Sequence, residues 1–286
     1  MSPTNYSVFE EGNVVTTDVE RDAFVEHVLD DPLIEICLDD LNRNERGDLE
    51  SDLALAARIQ KTLLPARDFS PSGWQVHYHY APAGLLSGDY CDLFESDGNL
   101  SFLLGDVAGK GVAASMLVSH LHAIFRSLAA GDPPLDLMVE AANRVFSQST
   151  LAGQFATLVV GRAARDGSVE FVSAGHPPLL HLAKGRVSSE PATGVPLGVF
   201  TDVQFPVRRF STGPGDTLLI YSDGLTESRS PIGEEYGIDR LRGIAARHAT
   251  ATPSKLISEC LSDLLDFTNG KKQNDDLTLL AIQRTT

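Results

Sequence analysis

The sequence predicts an α+β fold, because its strand-like and helix-like segments arrive in blocks and not in strict alternation. A first block of strand candidates covers 74–106, two long helix candidates fill 112–149, and a second block of strands covers 155–222. Two more helices and a last strand complete the chain. Regular alternation would instead favour a doubly wound parallel sheet.

The strands are predicted from short alternating or apolar runs. Residues 74–81 alternate along the chain, as a half-buried strand does, and the runs that end at Asp106 and Asp223 are apolar, as buried strands are. Further strands are expected at 90–95, 100–106, 155–163, 168–174, 178–183, 203–210, 217–222 and 277–283.

The helices are predicted from apolar spacing and from the residues that end them. A helix over 48–64 ends at Pro65. Its apolar seam has members three or four residues apart: Leu49, Leu53, Ala56, Gln60 and Leu63. Because the seam is only about two heptads long, it either packs on its own domain or pairs with another chain. Further helices are expected at 21–29, 33–41, 112–130, 135–149, 236–248 and 253–268.

Composition and local pattern divide the chain into three parts and exclude some classes of function. Residues 1–47 form an acidic extension, 48–65 a linking helix and 66–286 the main domain. The formal net charge of −16 disfavours nucleic-acid binding, which depends on clustered Lys and Arg. We find no apolar stretch near 18 residues and no signal peptide, so we expect a cytoplasmic protein without a membrane partner. The cysteines lack metal-site spacing, so we expect reduced thiols: Cys37, Cys91 and Cys260.

The most informative residues are aspartates far apart in the chain, each beside a glycine or a second aspartate. They are Asp89, Asp106, Asp223, Asp275 and Asp276. Carboxylates that share one site raise one another's pKa and protonate unless a cation neutralises them. A single Asp-Gly pair is also an ordinary turn. The recurrence of the pattern is what predicts a metal-dependent enzyme.

In these blocks the chain resembles the bacterial PPM, or type 2C, metal-dependent serine/threonine phosphatases, in the subfamily of the sporulation stage II E phosphatase and the sigma-B stress regulators. The resemblance runs from about residue 56 to residue 282. It rests on ordered blocks: Ile59-Gln60, Leu63-Leu64-Pro65, Gly88-Asp89-Tyr90-Cys91-Asp92, Gly105-Asp-Val-Ala-Gly-Lys-Gly111, Phe155-Ala-Thr-Leu158, Ala174-Gly-His-Pro-Pro178, Pro196-Leu-Gly198, Tyr221-Ser-Asp-Gly-Leu-Thr-Glu227 and Asp275-Asp-Leu-Thr278. It implies a central β-sandwich with a helix pair on each outer face, and it makes 66–286 the phosphatase domain.

The resemblance also implies a metal centre of two divalent cations, Mn²⁺ or Mg²⁺. Its ligands would be Asp89, Asp106, Asp223, Asp275 and the carbonyl of Val107, with Asp276 a supporting metal-site residue. Such ions prefer oxygen ligands. Paired ions would activate a water for in-line attack on phosphoserine or phosphothreonine, with no phosphoenzyme.

Two positions depart from the family pattern. Ser87 stands where the subfamily usually has glycine, and Ala108 stands where the wider class has a histidine proposed to protonate the leaving alkoxide. Lys110 or a metal-bound water would then supply that proton. Lys110 is equally explained as a solvent-facing loop cation.

The expected substrate, again from the resemblance, is a phosphorylated STAS-type anti-sigma-factor antagonist in a partner-switching system. The 48–65 helix would connect regulatory input to the domain and contribute to a homodimer. The alternative function is a catalytically weak, phosphatase-like scaffold that sequesters such a regulator. We find neither a Gly-x-Ser-x-Gly nucleophile elbow nor a phosphate-binding Gly-Lys-Ser/Thr loop in the sequence. Neither of these motifs therefore points to another enzyme class.

Overall fold

The computed structural model of the chain describes residues 43–67, 69 and 71–286. By its internal contacts the chain divides into two units, Met1–Asp52 and Leu53–Thr286. The predicted linking helix is present as α1, Arg43–Thr62. The helices predicted at 21–29 and 33–41, and most of the 1–47 extension, lie outside the described residues.

The second unit is built on two five-stranded antiparallel sheets. The first sheet has the order β1-β10-β9-β6-β7 and the second has the order β2-β3-β4-β5-β8. The strands are β1 Trp74–Ala81, β2 Asp89–Ser96, β3 Asn99–Val107, β4 Ala156–Ala163, β5 Ser168–Ala174, β6 Leu179–Ala183, β7 Arg186–Glu190, β8 Arg208–Ser211, β9 Thr217–Tyr221 and β10 Leu277–Arg284.

A helix pair covers the outer face of each sheet. Two helices pack on the second sheet, α2 Gly111–Ala129 and α3 Leu135–Ser149. Two pack on the first sheet, α5 Ile238–Arg247 and α6 Pro253–Thr268. A one-turn helix, α4 Asp223–Thr226, follows β9. The predicted sandwich with flanking helix pairs is therefore confirmed.

The alternation of side chains along each strand explains the layering. On β3, Phe102 and Leu104 belong to the core between the sheets, whereas Leu103 and Val107 belong to the core under α2 and α3. Successive side chains of a strand point to opposite faces, so one apolar run supplies two cores. This is why the buried strands read as continuous apolar segments.

Two strand predictions need correction. The predicted strand at 203–210 is present only as β8, because Pro206 has no N–H to donate to a sheet ladder. The strand β7 was not predicted, since its polar sequence gives no apolar signal. It pairs with β6 at the edge of the first sheet, across the turn at Lys184 and Gly185.

The expectation that no segment is long and apolar enough to cross a membrane was also wrong. Helix α2, with 19 residues, is long and apolar enough by length and composition. Its apolar face packs against the second sheet and α3, and Val118, Leu121 and Phe125 are buried there. That packing in the core accounts for the buried apolar side chains of α2, whereas Val112 and Met116 of the same helix are exposed.

Leu280 tests the core between the sheets, because it lies fully buried there in the middle of β10. We expect Leu280→Ala to lower the free energy of unfolding by about 2–5 kcal/mol, since it removes buried methyl groups and leaves a cavity. Leu265→Ala is the matched control, because Leu265 is 60% exposed on α6. Urea unfolding measures both variants. Equal losses would show that the sheets do not share this core.

Candidate metal centre

The acidic segments lie at the ends of neighbouring strands, on one end of each sheet. Asp89 begins β2 and Asp106 lies near the end of β3, and the antiparallel register sets the two residues directly opposite each other. Directly opposed residues of a sheet project to the same face. In the first sheet, Asp223 follows the end of β9, and Asp275 precedes the start of its antiparallel neighbour β10. Each sheet therefore supplies two of the acids at one end of its strands.

Hydrogen bonds between the two sheets join these strand ends, so the acids form one cluster. The amide of Gly88, beside β2, donates to Oδ2 of Asp276 at 2.7 Å. The hydroxyl of Ser222 donates to Oδ2 of Asp89 at 2.9 Å, and the Thr278 hydroxyl donates to the same oxygen. Because Ser222 and Thr278 belong to the first sheet's edge and Asp89 to the second's, folding does bring the distant acids together.

Two glycines allow the backbone segments to approach this closely. A Cβ atom at Gly224 would collide with the carbonyl oxygen of Asp276. A Cβ atom at Gly88 would lie 3.0 Å from the carbonyl oxygen of Val107 and 3.3 Å from Oδ1 of Asp106. The glycines next to the aspartates are thus required by close packing of the loops, and not only by turn geometry.

The pKa shifts in the cluster are those of crowded, buried carboxylates that Lys110 neutralises only in part. Burial, followed by the charges of Asp223, Asp275 and Asp276, raises the pKa of Asp106 to about 7, against an opposing effect of Lys110. Burial and the charge of Asp275 raise the pKa of Asp223. Burial raises the pKa of Asp89 well above its usual value, although hydroxyl hydrogen bonds oppose the shift. A bound cation would remove this penalty.

The donors fit a hard divalent cation in chemistry, but they do not form a closed cage. Asp275 accepts a hydrogen bond from Nζ of Lys110 at 2.8 Å. Asp276 accepts backbone amides at both oxygens, from Ala83 and Gly88, each at 2.7 Å. Within the ranges that the structure describes, no group of three or more His, Cys, Asp or Glu side chains is close enough to hold an ion. The ligand roles therefore remain predictions, and Asp276 is occupied in holding the loop.

Gln60 contributes to this loop in a way that the sequence analysis missed. It is buried, and its amide makes two hydrogen bonds to the backbone of Ser87: Nε2 to the carbonyl oxygen at 2.7 Å and Oε1 from the amide at 3.0 Å. Ser87 in turn accepts the amide of Asp89 at its Oγ. The signal in the sequence is that Gln60 is the polar member of an otherwise apolar seam, which indicates a specific hydrogen-bonding partner. The linking helix thus holds the loop that carries Asp89.

His176 ties the two sheets together beside the acids. Its Nδ1 lies 3.0 Å from Oγ1 of Thr157, which is paired with Asp106 across the sheet, and its Nε2 lies 3.1 Å from the carbonyl oxygen of Tyr221. Burial lowers the pKa of His176 to about 3, so the ring is neutral. A neutral ring that donates at Nε2 and accepts at Nδ1 satisfies both contacts. His176 thereby holds Thr157 of the second sheet and Tyr221 of the first sheet in place beside the acids.

Comparison with solved structures identifies the class of this fold. The RsbU and RsbW domains of Rv1364c from Mycobacterium tuberculosis align over 75% of this chain and 60% of that one, with 32% identity and a TM-score of 0.66. The catalytic domain of the serine/threonine phosphatase PstP, solved with two manganese ions, aligns over 74% of this chain and 99% of that one, with 14% identity and a TM-score of 0.54. The described domain is a PP2C-type phosphatase domain.

The family follows from the sequence itself. The family model described as "Stage II sporulation protein E (SpoIIE)" matches residues 96–285, more than half of the chain, and the chain therefore belongs to the SpoIIE family. The phosphoserine phosphatase RsbU of Bacillus subtilis is 24% identical over 85% of this chain and 72% of that protein. Protein IcfG of Synechocystis is 26% identical over 82% of this chain, which spans only 41% of IcfG. The family predicted from the motifs is confirmed.

The charge cluster can be tested through stability in metal-free protein. Because the pKa of Asp106 is higher in the folded protein than in the unfolded chain, its protonated form stabilises the fold below about pH 4, and that contribution is lost as the pH rises through about 7. We expect Asp106→Asn, in the presence of a chelator, to gain stability over the parent at pH 8 by on the order of 1–3 kcal/mol, with little difference near pH 4.

Urea unfolding across this pH range measures the effect, with the exposed Asp202→Asn as the matched control. Mn²⁺ should raise the stability of the parent more than that of the Asp106→Asn variant. A parent and variant with parallel pH curves would show that burial and the neighbouring acids do not raise the pKa of Asp106.

Proposed function

We propose that this protein is a metal-dependent protein serine/threonine phosphatase that hydrolyses a phosphoserine or phosphothreonine on a regulatory protein. One observation carries the proposal: the acidic ends of four strands, two from each sheet, meet in a single cluster in a chain of the SpoIIE family. The name of its relative RsbU, a phosphoserine phosphatase, supports the same reaction.

The proposed cofactor is a pair of divalent cations, Mn²⁺ or Mg²⁺. The proposal is supported by the mutual charge of the acids, by their oxygen-only chemistry, and by the two manganese ions of PstP. We propose Asp89, Asp106, Asp223 and Asp275 as carboxylate ligands, with the carbonyl of Val107 as a further one. When bound, such ions supply an activated water and neutralise phosphoryl oxygens.

The chain's own residues would act by holding and orienting these groups. Asp276 fastens the loop 83–88 through two backbone amides, and Ser222 and Thr278 fix the carboxylate of Asp89. In the place of the missing histidine, Ala108 only donates its amide to the carbonyl oxygen of Phe155. Lys110 contacts Asp275 and is a cation beside the acids that could approach the leaving oxygen of serine.

The proposed substrate is a phosphorylated STAS-type anti-sigma-factor antagonist in a partner-switching pathway of the cytoplasm. The relationship to RsbU, and the RsbU and RsbW domains of Rv1364c, support a role in such a circuit. The net charge of −16 disfavours nucleic acid as a partner.

The alternative is a scaffold that binds such a regulator with little turnover. The departures at Ser87 and Ala108 are its only support. Ser87 is buried and forms hydrogen bonds with Gln60 and Asp89, so its side chain fits the loop without displacing the acids. This favours the enzyme over the scaffold.

The direct test is hydrolysis of p-nitrophenyl phosphate and of a phosphorylated antagonist with Mn²⁺ or Mg²⁺. We expect turnover that a chelator abolishes. We expect Asp106→Asn and Asp223→Asn each to lower kcat by on the order of 100-fold or more, the usual effect of losing an electrostatic group that stabilises a transition state.

Asp202→Asn is the matched control and should keep the parent's rate, since Asp202 is exposed. Folded protein that hydrolyses neither substrate with either ion would contradict the enzyme proposal. Parental rates in the Asp106→Asn and Asp223→Asn variants would remove these residues from the site.

We also propose that the linking helix, 48–65, transmits regulation and contributes to a homodimer. On the side of the helix that faces the domain, Gln60 forms two hydrogen bonds with the backbone of Ser87. On its other side Leu55 and Ile59, four residues apart, are 52% and 56% exposed, and such a stripe suits a second helix. Movement of the helix would reach Asp89 through Ser87.

Deleting residues 1–47 tests this regulatory role. We expect the truncated protein to differ from the full chain in its rate with p-nitrophenyl phosphate or in its mass by light scattering, because the helix loses its N-terminal input. Identical rate and identical mass would contradict a role for the extension.

A further inference from the structure

A cleft of about 430 Å³ adjoins the acidic cluster and carries an unexpected charge for this protein. Gly224 and Asp275 line it at the metal-site end, and Lys271, Lys272, Arg229 and Lys110 line it as well. Against these four cations stand two carboxylates of the lining, Glu227 and Asp275. In a chain with a net charge of −16, this cleft is locally basic.

Among the described residues, two of the four cations have an acidic partner and two have none. Lys110 is paired with Asp275, and Arg229 is paired with Glu235. By contrast, in the part of the chain that the structure describes, no carboxylate lies within 4 Å of the Nζ of Lys271 or Lys272. Both residues are exposed. Their charges are therefore available to a ligand.

The walls of the cleft are held in place by contacts at its base. The hydroxyl of Ser228 lies 2.6 Å from the carbonyl oxygen of Gly224 and 3.0 Å from Oε1 of Gln273. Ser228 thus connects the segment after Asp223 to the segment that carries Lys271 and Lys272. The backbone pairing of Arg229 with Glu235 closes the opposite loop. The backbone segment that carries the lysines is consequently held beside the acids, and the lysines line the same cleft as Asp275.

We propose that this basic cleft binds an acidic segment of the substrate protein next to its phosphorylated residue, with Lys271 and Lys272 as the specificity-determining contacts. The inference rests on the proposed phosphatase function. Its basis is charge complementarity: a negatively charged protein repels acidic partners over most of its surface, and a local positive cleft selects where such a segment can approach.

The test uses two phosphoserine peptides of identical length, one with Asp and Glu around the phosphoserine and one with Asn and Gln in their place. We expect the full-length protein with Mn²⁺ to show a kcat/KM about 5–30-fold higher for the acidic peptide at low ionic strength, mostly through KM, because exposed charge pairs contribute modestly and are screened by salt. Salt at about 0.5 M should remove most of that preference.

The double variant Lys271→Glu/Lys272→Glu should lose or invert the preference while hydrolysing p-nitrophenyl phosphate at the parent's rate. Lys184→Glu/Arg186→Glu is the matched control, with the same change in charge. These residues lie at the β6–β7 turn, and the pairing of Leu182 with Thr217 puts that turn at the end of β9 opposite to Asp223. The control should keep the preference.

Equal kcat/KM for the two peptides, or a preference that survives in Lys271→Glu/Lys272→Glu, would overturn the proposal. So would binding of anionic lipid vesicles that depends on these lysines without any peptide preference. Fluorescence anisotropy of the labelled peptides separates this proposal from the phosphatase activity. A chain without any turnover would defeat the proposed function, yet lysine-dependent binding of the acidic peptide would still support the cleft.

Discussion

Repulsion among carboxylates at one end of the sandwich is the constraint on which the rest of this structure depends. The fold buries Asp106 and Asp223, and it brings the charges of Asp223 and Asp275 close enough to raise the pKa of Asp106, and that of Asp275 close enough to raise the pKa of Asp223. Such an arrangement is unfavourable on its own, and proteins keep it where a cation or a chemical step needs it. The surrounding contacts are best understood as the means of holding like charges together.

These contacts come from neutral groups. The amides of Ala83 and Gly88 bind Asp276, hydroxyls of Ser222 and Thr278 bind Asp89, and the neutral ring of His176 links the sheets nearby. Backbone and hydroxyl donors fix a carboxylate without cancelling the charge that a cation would bind. Lys110 is the exception, since its ammonium contacts Asp275 directly.

The features that depend on a local sequence pattern, the strands and the acidic segments, could be predicted from the sequence. The apolar runs predicted most of the strands, because strands buried on both faces carry mostly apolar side chains. The aspartates beside a glycine or a second aspartate indicated the acidic cluster. The polar edge strand β7 gave no such signal, and Pro206 shortened a run that looked continuous. The pairing of Gln60 with Ser87 joins residues far apart in the chain, so spacing alone could not reveal it. Nor could spacing reveal that Asp275 contacts Lys110, which depends on packing between loops.

The opposition of Asp89 and Asp106 across β2 and β3 ties chemistry to strand alignment. A slip of one residue in this hairpin would turn one carboxylate to the far face of the sheet while leaving much of the backbone bonding intact. A compact but misaligned chain would then lack one of the two opposed carboxylates at this end of the sandwich. The acidic pair thereby links the make-up of the proposed metal centre to the correct alignment of this hairpin.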